Sequence, residues 1–188
     1  MRHLLATDYE RHVLRLAVLS GIVQALDNVS KRGVSDRYPL LGLLAVCLIG
    51  GAIGGIVSLY VGGLVFHWSG RLFGGKAYPE YVRTALAWGS IPDVVLLILY
   101  VPLIAVFGQN WFDGSVAWLD QTLIAIPLSL ALVFIGLIAL VYKLLLLIQC
   151  LAEVHGISAW RGLGTLVVGA AAIGATLFVL LTACRPLG

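Results

Sequence analysis

Few side chains in this chain have chemistry to offer, and they are scattered among apolar runs. Asp93 follows Pro92 at the start of one uncharged stretch, Lys143 closes another, and Gln149 lies a little beyond it. A charge at the centre of a membrane helix costs about 2.5–3.5 kcal/mol on insertion scales. An intramembrane ionisable residue is therefore a candidate for a proton relay, an ion path or a buried pair. Each also has a plainer reading. Asp93 sits about a turn and a half past Trp88, at the expected membrane boundary, where water or Arg83 can meet it. Lys143 lies near the end of its span and can snorkel to the surface. A structural role for Asp93 is preferred to proton relay.

Other candidates weaken on spacing. Ser69-Gly70-Arg71-Leu72-Phe73-Gly74-Gly75-Lys76 invites a phosphate-loop reading, but the Walker pattern needs Ser or Thr after the lysine, and Ala77 stands there. No strand precedes it, so a tight turn whose basic residues face lipid phosphates is preferred. His67 and His155 could ligate haem or a metal from two helices, but neither has an ExxH or HxxxH partner. Cys47, Cys150 and Cys184 lie in or beside apolar runs without a CxxC pair and read as packing residues. No Ser-His-Asp set can be assigned. The expectation is no catalytic residue, no cofactor, no metal and no enzymatic activity.

The elements that must position these residues are written in the missing charges. Of 188 residues 61% are hydrophobic and 11% charged, against about 25% charged in soluble domains. Residues 38–70, 94–112, 121–142 and 162–184 contain no Asp, Glu, Lys or Arg. A membrane helix needs about 20 apolar residues, so the chain reads as an all-α polytopic membrane protein with no room for a separate soluble domain. A net charge of +3 is too small to suggest nucleic-acid binding. Residues 1–15 carry charges throughout and do not read as a signal peptide.

Residues 8–32 mix Leu14, Leu19, Ile22 and Leu26 with Arg11, Arg15, Gln24, Asp27 and Lys31. This pattern predicts an amphipathic helix, lying flat on the membrane or across the end of the bundle. Residues 1–37 are thus expected to form an N-terminal cytoplasmic segment, and 38–188 the transmembrane domain. Region 38–68 is either one long span or a hairpin. Gly50, Gly51, Gly54 and Gly55 sit near its middle; paired glycines weaken a helix, yet at four-residue spacing they also permit close helix packing. The positive-inside rule favours the hairpin, because it places the basic residues of 1–37 on the same side as Arg71, Lys76 and Arg83. Three further spans are expected at about 86–107, 121–146 and 163–184, giving about five membrane segments. Trp68, Trp88, Trp111, Trp118 and Trp160 near the run ends read as interfacial anchors.

Four phrases in order, residues 19–27, Trp68 to Lys76, Val82 to Pro92 and His155 to Gly162, together resemble the YIP domain family (Ypt/Rab-interacting membrane proteins), in its bacterial branch. Gly74, Gly75, Trp88, Pro92, Gly156, Ser158 and Arg161 are the positions that carry the likeness. The resemblance implies about five membrane segments, a cytoplasmic N-terminus and a C-terminus on the far side. The Asp-Leu-Tyr-Gly-Pro signature of some eukaryotic members is absent, so GTPase binding is not carried over. Together with the basic cytoplasmic face and the amphipathic N-terminal helix, the resemblance points to a non-enzymatic scaffold in the bacterial inner membrane that organises membrane or recruits a protein partner or a second copy. Its lipid partners would be anionic lipids on the cytoplasmic side. The alternative is a small-solute transporter or lipid scramblase built on glycine-broken helices, with Asp93 and Gln149 as path residues.

Overall fold

The computed structural model describes residues 9–32, 39–108, 112 and 125–183. Among them six helices follow in order: α1 (Tyr9–Arg32), α2 (Leu40–Leu72), α3 (Pro79–Gly89), α4 (Ile91–Phe107), α5 (Ala125–His155) and α6 (Ala159–Ala183). The stretches His12–Lys31, Leu40–Leu72, Pro79–Phe107 and Leu130–His155 are each long and apolar enough to cross a membrane. The 25-residue α6 packs against α2 and α5. Large apolar side chains point outward, among them Ile53, Ile98, Ile138 and Phe178. Lipid tails accept such a surface, where water would drive it to aggregate. The chain is a helical integral membrane protein.

Region 38–68 does not form a hairpin. Residues 40–68 lie in a single unbroken 33-residue helix. The glycine pairs that weaken a helix in water do not break it here, because hydrocarbon offers no alternative partner for the freed backbone groups. Gly51 and Gly55 are buried, and Gly50 and Gly54 face outward. A Cβ on Gly55 would lie 2.2 Å from the Ala17 carbonyl oxygen of α1, and one on Gly51 would lie 2.7 Å from Ile22 Cα. A Cβ on Gly50 or Gly54 would meet nothing within 4 Å.

That contact also relocates α1. It neither lies across the end of the bundle nor stands apart from it, but runs antiparallel along α2. Val13 and Ala17 pack with Leu59, Gly21 meets Gly51 and Gly55, and Leu26 packs with Leu43 and Cys47. Small residues on both helices bring the backbones together, which is how membrane helices associate without a hydrophobic driving force. With α1 beside α2, the start of α1 and the turn after α2 lie at the same end of the bundle. This is the arrangement the basic charges call for, reached by pairing α1 with α2 rather than by folding 38–68 in two.

The discontinuity falls elsewhere, in the stretch expected to be one straight span at 86–107. Helical structure begins at Pro79 and is interrupted at Ser90. Pro92 lacks an N–H and its ring clashes with the carbonyl four residues back, so the helix must restart there. The freed groups find local partners: the Ser90 N–H and hydroxyl both donate to the Ala87 carbonyl, at 3.2 and 2.7 Å. Asp93 N–H donates to the Ser90 carbonyl at 3.0 Å. Gly89 lets α5 approach, since a Cβ there would lie 2.8 Å from the Leu147 side chain.

Two outcomes test this arrangement. Single cysteines at Ala6 and Lys76 should label with an impermeant thiol reagent from one side of the membrane, and a cysteine at Ser35 from the other. Labelling of Ala6→Cys and Lys76→Cys from opposite sides would contradict the α1–α2 pairing. Gly51→Leu combined with Gly55→Leu should lower thermal stability in detergent clearly more than Leu41→Ala, since overpacking costs about 1–3 kcal/mol per site. Gly50→Leu with Gly54→Leu should change it by less than about 0.5 kcal/mol, the range of uncrowded surface substitutions.

Candidate functional site

The break at Ser90 creates a helix N-terminus inside the bundle, and Asp93 sits in the first turn of α4. Negative charge is stabilised there by the helix dipole. Lys143 of α5 reaches the Asp93 carboxylate with Nζ 2.6 Å from Oδ2. The same oxygen accepts a hydrogen bond from the Ser20 hydroxyl of α1 at 3.0 Å. Gln24, one turn along α1, donates through Nε2 to Ser20 Oγ at 3.1 Å. A chain of polar groups thus joins α1, α4 and α5. A second link lies further along the same two helices, where the Tyr100 hydroxyl of α4 hydrogen-bonds Asp27 of α1, itself paired with Lys31 at 2.5 Å.

The pair is deeper than the sequence suggests. Because the crossing starts at Pro79 rather than 86, Asp93 falls midway along Pro79–Phe107, and Ser20 midway along α1. Asp93 is therefore not a boundary residue, and Lys143 points to Asp93 rather than to the surface. Trp88 is half-buried within α3 for the same reason, whereas Trp68 and Trp160 are 74% and 83% exposed near helix ends. Trp111 and Trp118 lie outside the described residues. Arg83 does not meet Asp93. Its stem lies over Gly63 and its guanidinium stacks 4.7 Å from the centre of the Tyr60 ring. Gln149 is exposed on α5 and does not join the cluster.

Beside the pair lies a cavity of about 390 Å³. Ser20, Gln24, Ser58, Ser90 and Lys143 face it, and apolar side chains from α2, α3, α5 and α6 complete its walls. Ser20, Gln24 and Ser58 were not singled out from the sequence. Ser20 is buried by the antiparallel pairing of α1 with α2, whereas Gln24 and Ser58 stay exposed at the cavity's edge.

A second cluster forms at the far end of α2. His155 is 4% exposed and its ring rests on glycines: a Cβ on Gly70 would lie 2.1 Å from Cε1, and one on Gly75 2.3 Å from Nδ1. Neither ring nitrogen has a hydrogen-bond partner among the described residues, nor has His67 Nδ1. The Phe66 backbone approaches the His155 ring without completing a hydrogen bond. No group of three metal-ligating side chains occurs among the described residues. The run that resembled a phosphate loop is the end of α2: Gly75 N–H donates to the Gly70 carbonyl at 2.9 Å, and Lys76 N–H to the His155 carbonyl at 3.4 Å.

Residues 12–181 match the Yip1 domain. The chain belongs to the Yip1 domain family. No curated protein and no solved structure matches it. The match takes in α1 as well as the later helices, and the phrases that resembled the family come together in this Yip1 domain at the two clusters. Residues 19–27 and Val82 to Pro92 flank the ion pair, while Trp68 to Lys76 and His155 to Gly162 build the seat of His155. Gly74 and Gly156 take φ of +84° and +65°, the left-handed backbone that glycine adopts without strain. Pro92 is buried at the break, and Ser158 and Arg161 are exposed at the start of α6. The Ser158 carbonyl accepts the Gly162 N–H at 2.9 Å.

Removing one member of a buried ion pair costs about 3–5 kcal/mol, because the other charge is left unpaired. Lys143→Met or Asp93→Asn alone should therefore lower the melting temperature in detergent markedly. The double variant should recover at least half of the loss of Lys143→Met. Additive losses in this double-mutant cycle would show that the two side chains do not act as a pair.

Proposed function

We propose that this Yip1-family membrane protein is a non-enzymatic scaffold that organises membrane or recruits a partner, and that it works in the bacterial inner membrane with its N-terminus in the cytoplasm. The observation that supports this reading is how the interior polar groups are used. The Asp93 carboxylate is taken up by Lys143 and Ser20, which ties three helices together rather than leaving a nucleophile beside a base. The transport reading began from broken helices at 38–68, and α2 is continuous.

The face offered to partners is the end of the bundle where α2 turns into α3 and α5 into α6. Arg71, Lys76 and Arg161 are exposed there, alongside Trp68, Leu72 and Trp160. Basic groups near a membrane surface attract anionic lipid by about 1 kcal/mol each, and Trp prefers the interface. Anionic phospholipid on the cytoplasmic side is the proposed lipid partner, with a protein partner or a second copy recruited at the same face.

Proteoliposomes carrying the purified protein should show no more solute flux or lipid flip than protein-free vesicles. Native mass spectrometry should find anionic lipid enriched on the protein, and Arg71→Gln with Lys76→Gln and Arg161→Gln should remove that enrichment. Cross-linking in native membranes should trap a discrete partner or dimer, with reduced yield in the same triple variant. Flux or flip well above the protein-free control would overturn the scaffold reading.

A further inference from the structure

The cavity beside Asp93 and Lys143 has no part in that scaffold role, and its chemistry is specific enough to name an occupant. Its volume of about 390 Å³ lies within the usual range of small-molecule sites, about 300–1,000 Å³. Its polar side is rich in donors. Lys143 carries three N–H groups, one of which goes to Asp93. Gln24 carries two on Nε2, one of which goes to Ser20. The Ser58 hydroxyl faces the same space. The rest of the wall is apolar, with Leu59, Phe66, Leu86 and Leu147 prominent.

Charge narrows the choice. Lys143 is already neutralised by Asp93, so the pair presents donors without net charge. An anion entering here would leave one negative charge uncompensated midway along the bundle, and an unpaired buried ion costs several kcal/mol. A cation would meet the ammonium. A neutral group with acceptor oxygens satisfies the donors at no such cost. Access narrows it further. Val57 and Val61 line the cavity and are 54% and 50% exposed on the outer face of α2, so the mouth opens towards acyl chains. A ligand dissolved in the bilayer can enter sideways and leave its apolar part among them.

We infer that this cavity binds one neutral amphiphile whose polar end carries carbonyl oxygens. Two bilayer components share that chemistry, a diacylglycerol with its ester carbonyls and an isoprenoid-type quinone with its ring carbonyls. The carbonyls accept from Lys143 and Gln24, and the chain lies along α2 and α6. The inference is independent of the scaffold reading, since it concerns occupancy of the interior rather than what the exposed basic end recruits.

The test uses the full chain purified in detergent, titrated separately with dioleoylglycerol, decylubiquinone and phosphatidylglycerol. Binding is read by native mass spectrometry and by the shift in melting temperature. One of the two neutral probes should bind saturably as a single copy, and which one does so identifies the source. Ser58→Trp, which fills the cavity from the exposed side of α2, should abolish binding. Gln24→Leu removes a donor at an exposed position and should weaken it about five- to tenfold, the loss expected of one neutral hydrogen bond. Leu41→Ala, remote from the cavity, should leave it unchanged. The proposal is overturned if neither neutral probe binds saturably. It is overturned too if Gln24→Leu and a well-folded Ser58→Trp both bind as the parent does. It is also overturned if phosphatidylglycerol takes the site more tightly than either neutral probe.

Discussion

A carboxylate and an ammonium placed midway along apolar helices must find each other, and much of this bundle is arranged so that they do. Asp93 reaches Lys143 because α3 and α4 are separate helices, with α4 starting afresh at that depth. The new N-terminus stabilises the carboxylate, and Ser20 supplies a further donor from α1. The pair in turn fixes which faces of α1, α4 and α5 look inward. A buried pair of this kind contributes little net stability compared with apolar packing. Its value is specificity: rotating α4 or α5 would leave a charge unpaired in hydrocarbon, and rotating α1 would remove the Ser20 hydrogen bond to the carboxylate.

The second constraint is the backbone. Within hydrocarbon every N–H and C=O must be satisfied inside the protein, so glycine and proline act differently from one another. Glycine keeps its N–H, and four glycines in a row of six leave α2 intact. Their effect is on neighbours, since Gly51 and Gly55 with Gly21 bring α1 and α2 within backbone contact. Proline loses its N–H, and at Pro92 the helix stops and restarts. The break therefore falls beside a proline rather than at the glycine pairs, with the Ser90 hydroxyl donating to the Ala87 carbonyl there, while Pro102 is carried inside α4 without a second break.

The basic end of the bundle follows from the same logic. The turn after α2 needs glycine at Gly74 for its backbone and at Gly70 and Gly75 to seat the His155 ring. That seat locks the α5–α6 turn against the α2–α3 turn, so that Arg71, Lys76 and Arg161 project from one end of the Yip1 domain. The exposed basic end and the ion pair in the interior are thus two outcomes of the same helix packing.

Composition and charge alone determined that this is an all-helical membrane protein, because the penalty for charge in hydrocarbon is large enough to empty whole segments of it. The same penalty made Asp93 and Lys143 conspicuous in the sequence. Four quoted phrases were enough to suggest the family. What the sequence could not decide was which helix pairs with which. Region 38–68 read as a hairpin because positive charge required an even number of crossings, and α1, with its Arg, Gln and Asp residues, did not read as one of them. Only packing shows that its polar side chains turn toward Asp93 and Tyr100. Ser20 and Gln24 joined the candidate site for that reason, and Gln149 left it because its position on α5 faces outward. Hydrophobic periodicity reports how a helix meets its solvent. Partners across the bundle are set by close backbone approach and by the pairing of buried charges, which depend on tertiary structure.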